Sequence, residues 1–496
     1  MKKFLYSYKE LNELRRRKKS IVLAHGVFDL FHIGHLRHLK ICKNYGEILV
    51  VSLTDDKFIN KGPNRPIFNS SNRAEMISSL SFVDYIFINK AETSEKVIES
   101  LKPNFYIKGQ DYKDSKQDIT GNIQKEKKLV EKFRGRMIFT DDIIFSSSHL
   151  INKFYFEENN VKQFKKYNYH YFERLFEKTN KLRVAVIGEL ILDEYCFTNY
   201  LGSASKEELV VMNYIDEKLF FGGAYALAKN ISDFVKKVDF YSAGNLDTKT
   251  FNSLKKDSKK NKINVKFFRD NYRIIKKKRF LSQKNHKLFE IYHSSSDEKF
   301  NKNKKFAKII SSKISSYDIV IVADFGHGLL SKELISTLQK KSKFLCVNTQ
   351  TNAENRGFNL ITKYKKCNLI CLDLGELQLA ISKKDEEKKM IAEMLKKIKF
   401  KHFILTLSKK GIIVARKESS NLKYFRLGAL DSNPLDTMGA GDAVFGISSL
   451  LSNVSDDIKI NALVSNLFGA LKIKILGHEK KISKKELMKS INYMIK

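Results

Sequence analysis

Short, mostly apolar runs alternate with helix-patterned segments along most of this chain, and that alternation leaves few folds open. Runs at 21–24, 48–53, 85–88, 105–107 and 137–139 read as buried strands, with helix-like stretches at 34–44, 73–80, 94–101 and 123–133 between them. Strands spaced by helices predict a parallel sheet covered on both faces. Asn72, with Glu75 three residues on, is expected to cap the 73–80 helix. A second series begins at 182–188 and continues at 319–323, 344–347, 369–372, 403–407 and 412–415. Between the two series, 153–181 sets Phe154, Phe156, Tyr167, Tyr171, Phe172 and Phe176 among Lys, Asn and Glu, as a linker helix with a docking aromatic face would. The lysine-rich stretch 250–305 carries no clear period. The expectation is an α/β protein with a domain over 1–152, a linker over 153–181 and a larger α/β domain over 182–496. No short internal repeat is present, which excludes a solenoid.

Composition narrows the functional classes. With 42% hydrophobic residues the 496-residue chain has the apolar material for real cores, so wholesale disorder is excluded. Lys+Arg is 92 against 55 Asp+Glu, a net charge of +37. The lysines are spread along the whole chain, which fits a solvated basic surface and phosphorylated substrates better than a nucleic-acid module. Cys42, Cys196, Cys346, Cys367 and Cys371 form no C-x-x-C pair, so neither a disulfide framework nor a cysteine zinc site is expected. No apolar run has the roughly 18 residues of a membrane span. The basic start meets charged residues where a signal peptide needs an apolar stretch, so the expected location is cytoplasmic.

Two segments carry chemistry. The first is 25–35, His-Gly-Val-Phe-Asp-Leu-Phe-His-Ile-Gly-His, between a strand and a helix. His32 and His35 stand near that helix N-terminus, where free N–H groups and the helix dipole favour anions. Gly26 lets backbone approach a phosphate. Attack on the α-phosphorus of a nucleoside triphosphate needs such donors and no covalent nucleophile. His25, His32, His35 and His38 crowd together, but no Cys, Asp or Glu completes a tetrahedral set, so no metal ligands are expected. The second segment is 436–446, Asp-Thr-Met-Gly-Ala-Gly-Asp-Ala-Val-Phe-Gly, opening an apolar helix. Gly439, Ala440 and Gly441 offer backbone N–H groups, and Asp442 supplies a carboxylate at the same place. Phosphoryl transfer to a hydroxyl needs that pair of features.

The first segment resembles the HxGH nucleotidyltransferases, the group of glycerol-3-phosphate cytidylyltransferases and heptose-1-phosphate adenylyltransferases. Lys61-Gly62, Asn72-Arg73-Ala74-Glu75, Ile107-Lys108-Gly109 and Ser146-Ser147-Ser148-His149 extend the likeness over about 20–152. It implies a Rossmann-like fold, with His32 and His35 on the triphosphate. Gly26, Phe28, Lys61, Arg73, Lys108, Ser146, Ser147 and Ser148 are then the nucleotide and phosphate ligands.

The second segment resembles the ribokinase-like (PfkB) sugar kinases over about 182–490. The further matches are Gly188 to Asp193, Phe221-Gly222-Gly223, Asp324 to Gly328, Asp373 to Glu376 and Asn466 to Gly477. This implies an α/β domain with a small β lid and Asp442 as base. Asp193, Gly222 and Gly223 would hold the sugar, and Glu376 and Asn466 would serve on the nucleotide side with Mg²⁺ and ATP. The chain departs from that pattern at Ala226, Asn348 and Asp373.

The pairing resembles the bifunctional heptose-7-phosphate kinase/heptose-1-phosphate adenylyltransferases of bacterial lipopolysaccharide core synthesis, in reversed domain order. It implies ATP, or CTP as the rival donor, sugar phosphate substrates, no nucleic-acid or membrane partner, and a homodimer.

Overall fold

A computed structural model describes residues 3–59, 65–109, 122–140, 161–164, 166–203, 209–283, 285–293, 304–419, 421–431 and 434–495. The chain divides into two compact units, Met1–Lys165 with Asn492–Lys496, and Lys166–Ile491.

The first unit holds β1 (Lys3–Leu5), β2 (Ile21–Gly26), β3 (Ile48–Thr54), β4 (Tyr85–Asn89), β5 (Phe105–Lys108) and β6 (Arg136–Phe139). They form one parallel sheet in the order β1-β4-β3-β2-β5-β6. Separate apolar layers cover its faces, one around Leu11, Val50 and Tyr106, the other around Leu39, Val51 and Ile107. That is why β3 is buried at every position and shows no alternation. Chain order reverses between β2 and β5, so their C-terminal ends flank a crevice of the kind that binds ligands in open α/β sheets. The helix expected at 73–80 is Ser70–Ser78, and its cap is Asn69, which accepts from Asn72 N at 2.8 Å. An Asn three residues earlier won because it lies in extended backbone, as an N-cap must.

The second unit is built on nine strands. These are β7 (Arg183–Gly188), β10 (Lys237–Asn245), β11 (Ile263–Arg273), β14 (Ile319–Asp324), β15 (Leu345–Thr349), β16 (Leu369–Asp373), β17 (His402–Thr406), β18 (Ile412–Glu418) and β19 (Asn421–Leu427). Their order is β11-β10-β7-β14-β15-β16-β17-β18-β19. Pairing is parallel up to β17, and β18 and β19 run antiparallel. The switch point lies between β7 and β14.

A separate sheet of β8 (Leu190–Ser203), β9 (Val210–Gly223), β12 (Ile275–Leu281) and β13 (Lys287–His293), ordered β13-β12-β8-β9, forms the lid. Its strands β12 and β13 account for part of the unpatterned lysine-rich stretch. β12 alternates strictly between buried and half-buried, but its buried positions include Lys277 and Arg279. The inward face is cationic, which hides the period from a hydrophobicity reading.

The aromatic segment before β7 becomes the helix Tyr169–Thr179. It buries Phe172, Leu175 and Phe176, and the Phe176 ring packs on Phe234 at 5.5 Å within the second unit. Among the described residues no helix is long and apolar enough to cross a membrane.

Two candidate active sites

At the β2–β5 crevice, the chain leaves β2 at Gly26 and makes a tight loop into the helix Ile33–Lys43. Phe28 (φ 51°) and Leu30 (φ 43°) are in left-handed backbone, a strained choice for bulky residues. Two anchors hold it. The Phe28 ring lies where a Gly26 Cβ would be only 3.0 Å away, so glycine makes its room. The buried Asp29 carboxylate accepts from Leu30 N at 3.1 Å, Ile67 N at 3.0 Å and Phe68 N at 3.2 Å, tying this loop to the segment before the next helix.

His32 is the N-cap of the Ile33–Lys43 helix, and its Nδ1 accepts from Gly34 N at 3.1 Å. An accepting Nδ1 leaves the proton of a neutral ring on Nε2, the donor that can face a phosphate. Burial lowers the His32 pKa, which favours the neutral ring. The His35 ring stacks on it at 3.9 Å and 20°, with Phe28 edge-on to His35 at 5.3 Å.

Arg73, expected among the phosphate ligands, is a strut instead. It is fully buried, and its guanidinium binds the carbonyls of Phe68 (2.9 Å), Thr54 (2.9 Å) and Val27, with Asp56 Oδ1 at 2.6 Å. Four contacts to the protein occupy the fork that a phosphate would need. Lys108, at the end of β5, is buried and paired with Glu126 Oε2 at 3.2 Å. Beside it, His25 bonds Ser52 Oγ at 3.0 Å, and burial with the Lys108 charge brings the His25 pKa down to about 3. Lys61, Ser146, Ser147 and Ser148 lie outside the described residues.

In the second unit, the loop before the helix Ala440–Val454 turns through Gly439 (φ 71°), where an added Cβ would stand 2.7 Å from the His478 ring. The turn is braced from outside. Asp436 accepts from Met438 N at 3.0 Å, Gly477 N at 2.8 Å and the Tyr195 hydroxyl at 2.7 Å. The buried Lys472 amine donates to Met438 O at 3.1 Å and Gly477 O at 2.6 Å. The Met438 carbonyl is thus taken by a lysine, and among the described residues the amides of Gly441 and Asp442 have no acceptor. An added Cβ at Gly441 would meet nothing within 4 Å.

Asp442 is buried, and its Oδ1 accepts from Gln350 Nε2 at 3.0 Å. Burial, then the charge of Asp193, raise its pKa to about 7, against the opposing charges of Lys472 and Lys277. Asp193 behaves oppositely. Burial raises its pKa, but His478 (3.5 Å) and a tight ion pair with Arg279 outweigh that and hold it ionised. Two nearby carboxylates pushed apart in pKa can take different roles. Gly222 has to be glycine, since a Cβ there would lie 2.0 Å from Asp193 Oδ2. Gly223 (φ 61°) would meet Glu189 O at 2.4 Å. Lys277 stands directly across from Asp193 in the β8–β12 pair.

Glu376 and Asp373 form the capping box of the helix Leu374–Ile381. Glu376 also accepts from Thr351 N at 3.1 Å, and burial with the Asp373 charge raises its pKa to about 8. Asn348, one of the departures, donates to Cys371 O at 2.8 Å and keeps a buried Oδ1 with no hydrogen-bond partner. Ala226 is buried in the helix Ala224–Ile231. Asn466 Nδ2 donates to the Gly428 carbonyl at 2.7 Å. Among the described residues no group of three His, Cys, Asp or Glu is positioned to hold a metal.

Residues 181–474, more than half of the chain, match the pfkB family of carbohydrate kinases. The chain belongs to this family. Residues 23–154 match the cytidylyltransferase-like family, so a nucleotidyltransferase-type domain precedes the pfkB domain. Among curated proteins the chain is similar to the Bifunctional protein HldE of Helicobacter pylori, 38% identical over 153 residues, 30% of this chain and 31% of that protein. The same protein of Campylobacter fetus is 34% identical over 151 residues, 30% of this chain and 31% of the relative. The likeness lies in the N-terminal part, and the two domains stand in the reverse of the HldE order. The alignments thus span under a third of these relatives. Among solved structures, a ribokinase from Thermotoga maritima superposes with a TM-score of 0.50 at 15% identity, covering 62% of this chain and 98% of that one, a likeness of fold.

Two residues of this site escape a motif reading. Gln350 and His478 sit outside the signature segments, whereas Lys472, inside Asn466 to Gly477, closes an apolar helix. The last had a visible signal, a lysine directly after Gly-Ala-Leu in an otherwise buried helix face.

Proposed function

We propose that the chain is a bifunctional sugar-activating enzyme. The pfkB domain phosphorylates the anomeric hydroxyl of a sugar phosphate with ATP, and the N-terminal domain transfers a nucleotidyl group to the resulting class of sugar 1-phosphate. The observation that carries the reading is Asp442, a buried carboxylate with its pKa near 7 beside unpaired amides at a helix N-terminus.

In the kinase step, ionised Asp442 takes the proton of the sugar hydroxyl as that oxygen bonds the γ-phosphorus. The bond to the β-phosphate oxygen breaks, and ADP leaves. The amides of Gly441 and Asp442 stabilise charge on the transferred group. Asp193, kept ionised by Arg279 and His478, accepts hydrogen bonds from sugar hydroxyls and fixes the ring. Mg²⁺ bound with ATP supplies charge neutralisation of the phosphates. The raised pKa of Glu376 and the orphaned Asn348 Oδ1 mark an acceptor wall that such a cation suits. Lys277, buried on the lid opposite Asp193, supports a substrate that already carries a phosphate.

In the nucleotidyl step, a phosphate oxygen of the sugar 1-phosphate attacks the α-phosphorus, and pyrophosphate leaves. His32, through Nε2–H, and His35 donate to the α-phosphate oxygens as charge builds there. Similarity to HldE supports a phosphorylated heptose and ATP. CTP is the rival donor. The reading places both reactions in the cytoplasm, where nucleoside triphosphates are available. A homodimer through the lid is supported by its exposed apolar residues, among them Val210, Tyr214, Ile215 and Phe289.

The test pairs purified protein with a panel of sugar phosphates against ATP and CTP, reading ADP and pyrophosphate separately. Heptose 7-phosphate should yield ADP, and heptose 1-phosphate with ATP should yield pyrophosphate. No turnover of any sugar phosphate with either nucleotide would sink the reading.

A further inference from the structure

The catalytic groups of the pfkB domain gather at the C-terminal ends of β14, β15 and β16. At the opposite edge, where β15, β16 and β17 begin, a pocket of about 580 Å³ opens, within the range of small-molecule sites. The five residues of β16 separate the two by roughly 16 Å at ~3.3 Å per residue, so one small ligand cannot serve both.

Chemistry at the pocket is one-sided. Lys366, Lys399, Lys401 and Lys417 line it. Lys401 pairs with Asp456 at 2.9 Å, while among the described residues the other three have no carboxylate partner. No Asp or Glu is in the lining. The amide oxygens are already used. Asn368 Oδ1 accepts from Leu345 N at 2.8 Å, and Gln339 Oε1 accepts from Lys365 N at 2.7 Å and Lys366 N at 2.9 Å. The Asn368 amide nitrogen remains as a donor, while the Ser342 Oγ is shut off from solvent and has no hydrogen-bond partner. Phe400 gives the floor an apolar ring.

An amide donor and three solvent-exposed lysines without a carboxylate partner around one cavity favour an anion. One phosphate monoester carries about 1.5 to 2 negative charges near neutrality, so two phosphates match the surplus. We propose that this pocket is a second ligand site of the pfkB domain, taking a small organic molecule that bears two phosphate groups. It does not depend on the reaction assigned above.

The probe is inorganic pyrophosphate, titrated calorimetrically into the full chain at physiological salt. Wild type is compared with Lys366→Ala/Lys399→Ala/Lys417→Ala. The control is Lys256→Ala/Lys259→Ala/Lys260→Ala, which removes the same charge from exposed positions on the helix Thr248–Lys260. The pocket variant should weaken one class of pyrophosphate site at least tenfold, and the control should not. Ser342→Phe, which narrows the cavity at unchanged charge, should weaken the same class. Equal behaviour of the two triple variants would show a general field effect and overturn the proposal, as would full-strength binding by Ser342→Phe.

Discussion

Gln350 Nε2 donates to Asp442 Oδ1 at 3.0 Å, so the carboxylate at the kinase centre is held by a neutral side chain from the end of β15. That bond favours the ionised form. A hydrogen bond to a charged group is worth about 1.5–3 kcal/mol, and one pH unit corresponds to about 1.4 kcal/mol. Gln350→Leu should therefore move the acid limb of the kinase pH profile upward by roughly one to two units. ADP formation near pH 7 should fall, with recovery toward wild type at pH 9. An unshifted profile with a uniformly reduced rate would count against this role.

The two centres should fail independently. Asp442→Asn should lower ADP formation by about 10²–10⁴-fold, the usual contribution of a general base. Pyrophosphate release from the N-terminal domain should persist. His32→Ala should do the reverse, costing about 10²–10³ in nucleotidyl transfer. Paired assays on the same preparations check both.

Asp442 also couples stability to pH. Its pKa is about 7 in the folded chain against a model-compound value of 3.8, so between those values the folded state holds a proton that the unfolded state has released. Stability from this group falls as pH rises through that window, and the loss is complete above about 7. Asp442→Asn should raise the Tm relative to wild type at pH 8 and much less at pH 4.5, as measured by thermal unfolding at both pH values.

Arg73→Ala should act on folding rather than on nucleotide affinity. It strands three carbonyls that the guanidinium now satisfies and frees the half-buried Asp56, at a cost of about 2 kcal/mol or more. Thermal unfolding should show an early transition, with nucleotidyl transfer lost in step and the kinase assay unaffected. A specific rise in KM for the triphosphate, without loss of stability, would restore it as a ligand.

Gly222→Ala should impair the sugar site alone. The new Cβ would fall 2.0 Å from Asp193 Oδ2 and push that carboxylate off Arg279. Expected is a rise in KM for the sugar substrate with the KM for ATP nearly unchanged.

Much of this molecule could be read directly from its residues. The apolar runs that became β2, β3, β7 and β14 are buried on both faces, so they needed no partner to be recognised as strands of a parallel sheet. The helix turns at His32 and Gly439 were legible because local backbone chemistry makes them, and glycines with positive φ or close neighbours declare themselves. Tertiary packing decided the rest. Arg73 carries the same side chain whether it grips a phosphate or a carbonyl, and only the surrounding loops chose the carbonyls. Lys277 and Arg279 turned inward because Asp193 lies across the lid, a pairing between strands more than eighty residues apart in sequence. The field that sets Asp442 apart from Asp193 comes from burial and from charges on β8, β12 and a distant helix. Electrostatics depends on distance through space, and sequence separation carries no information about that.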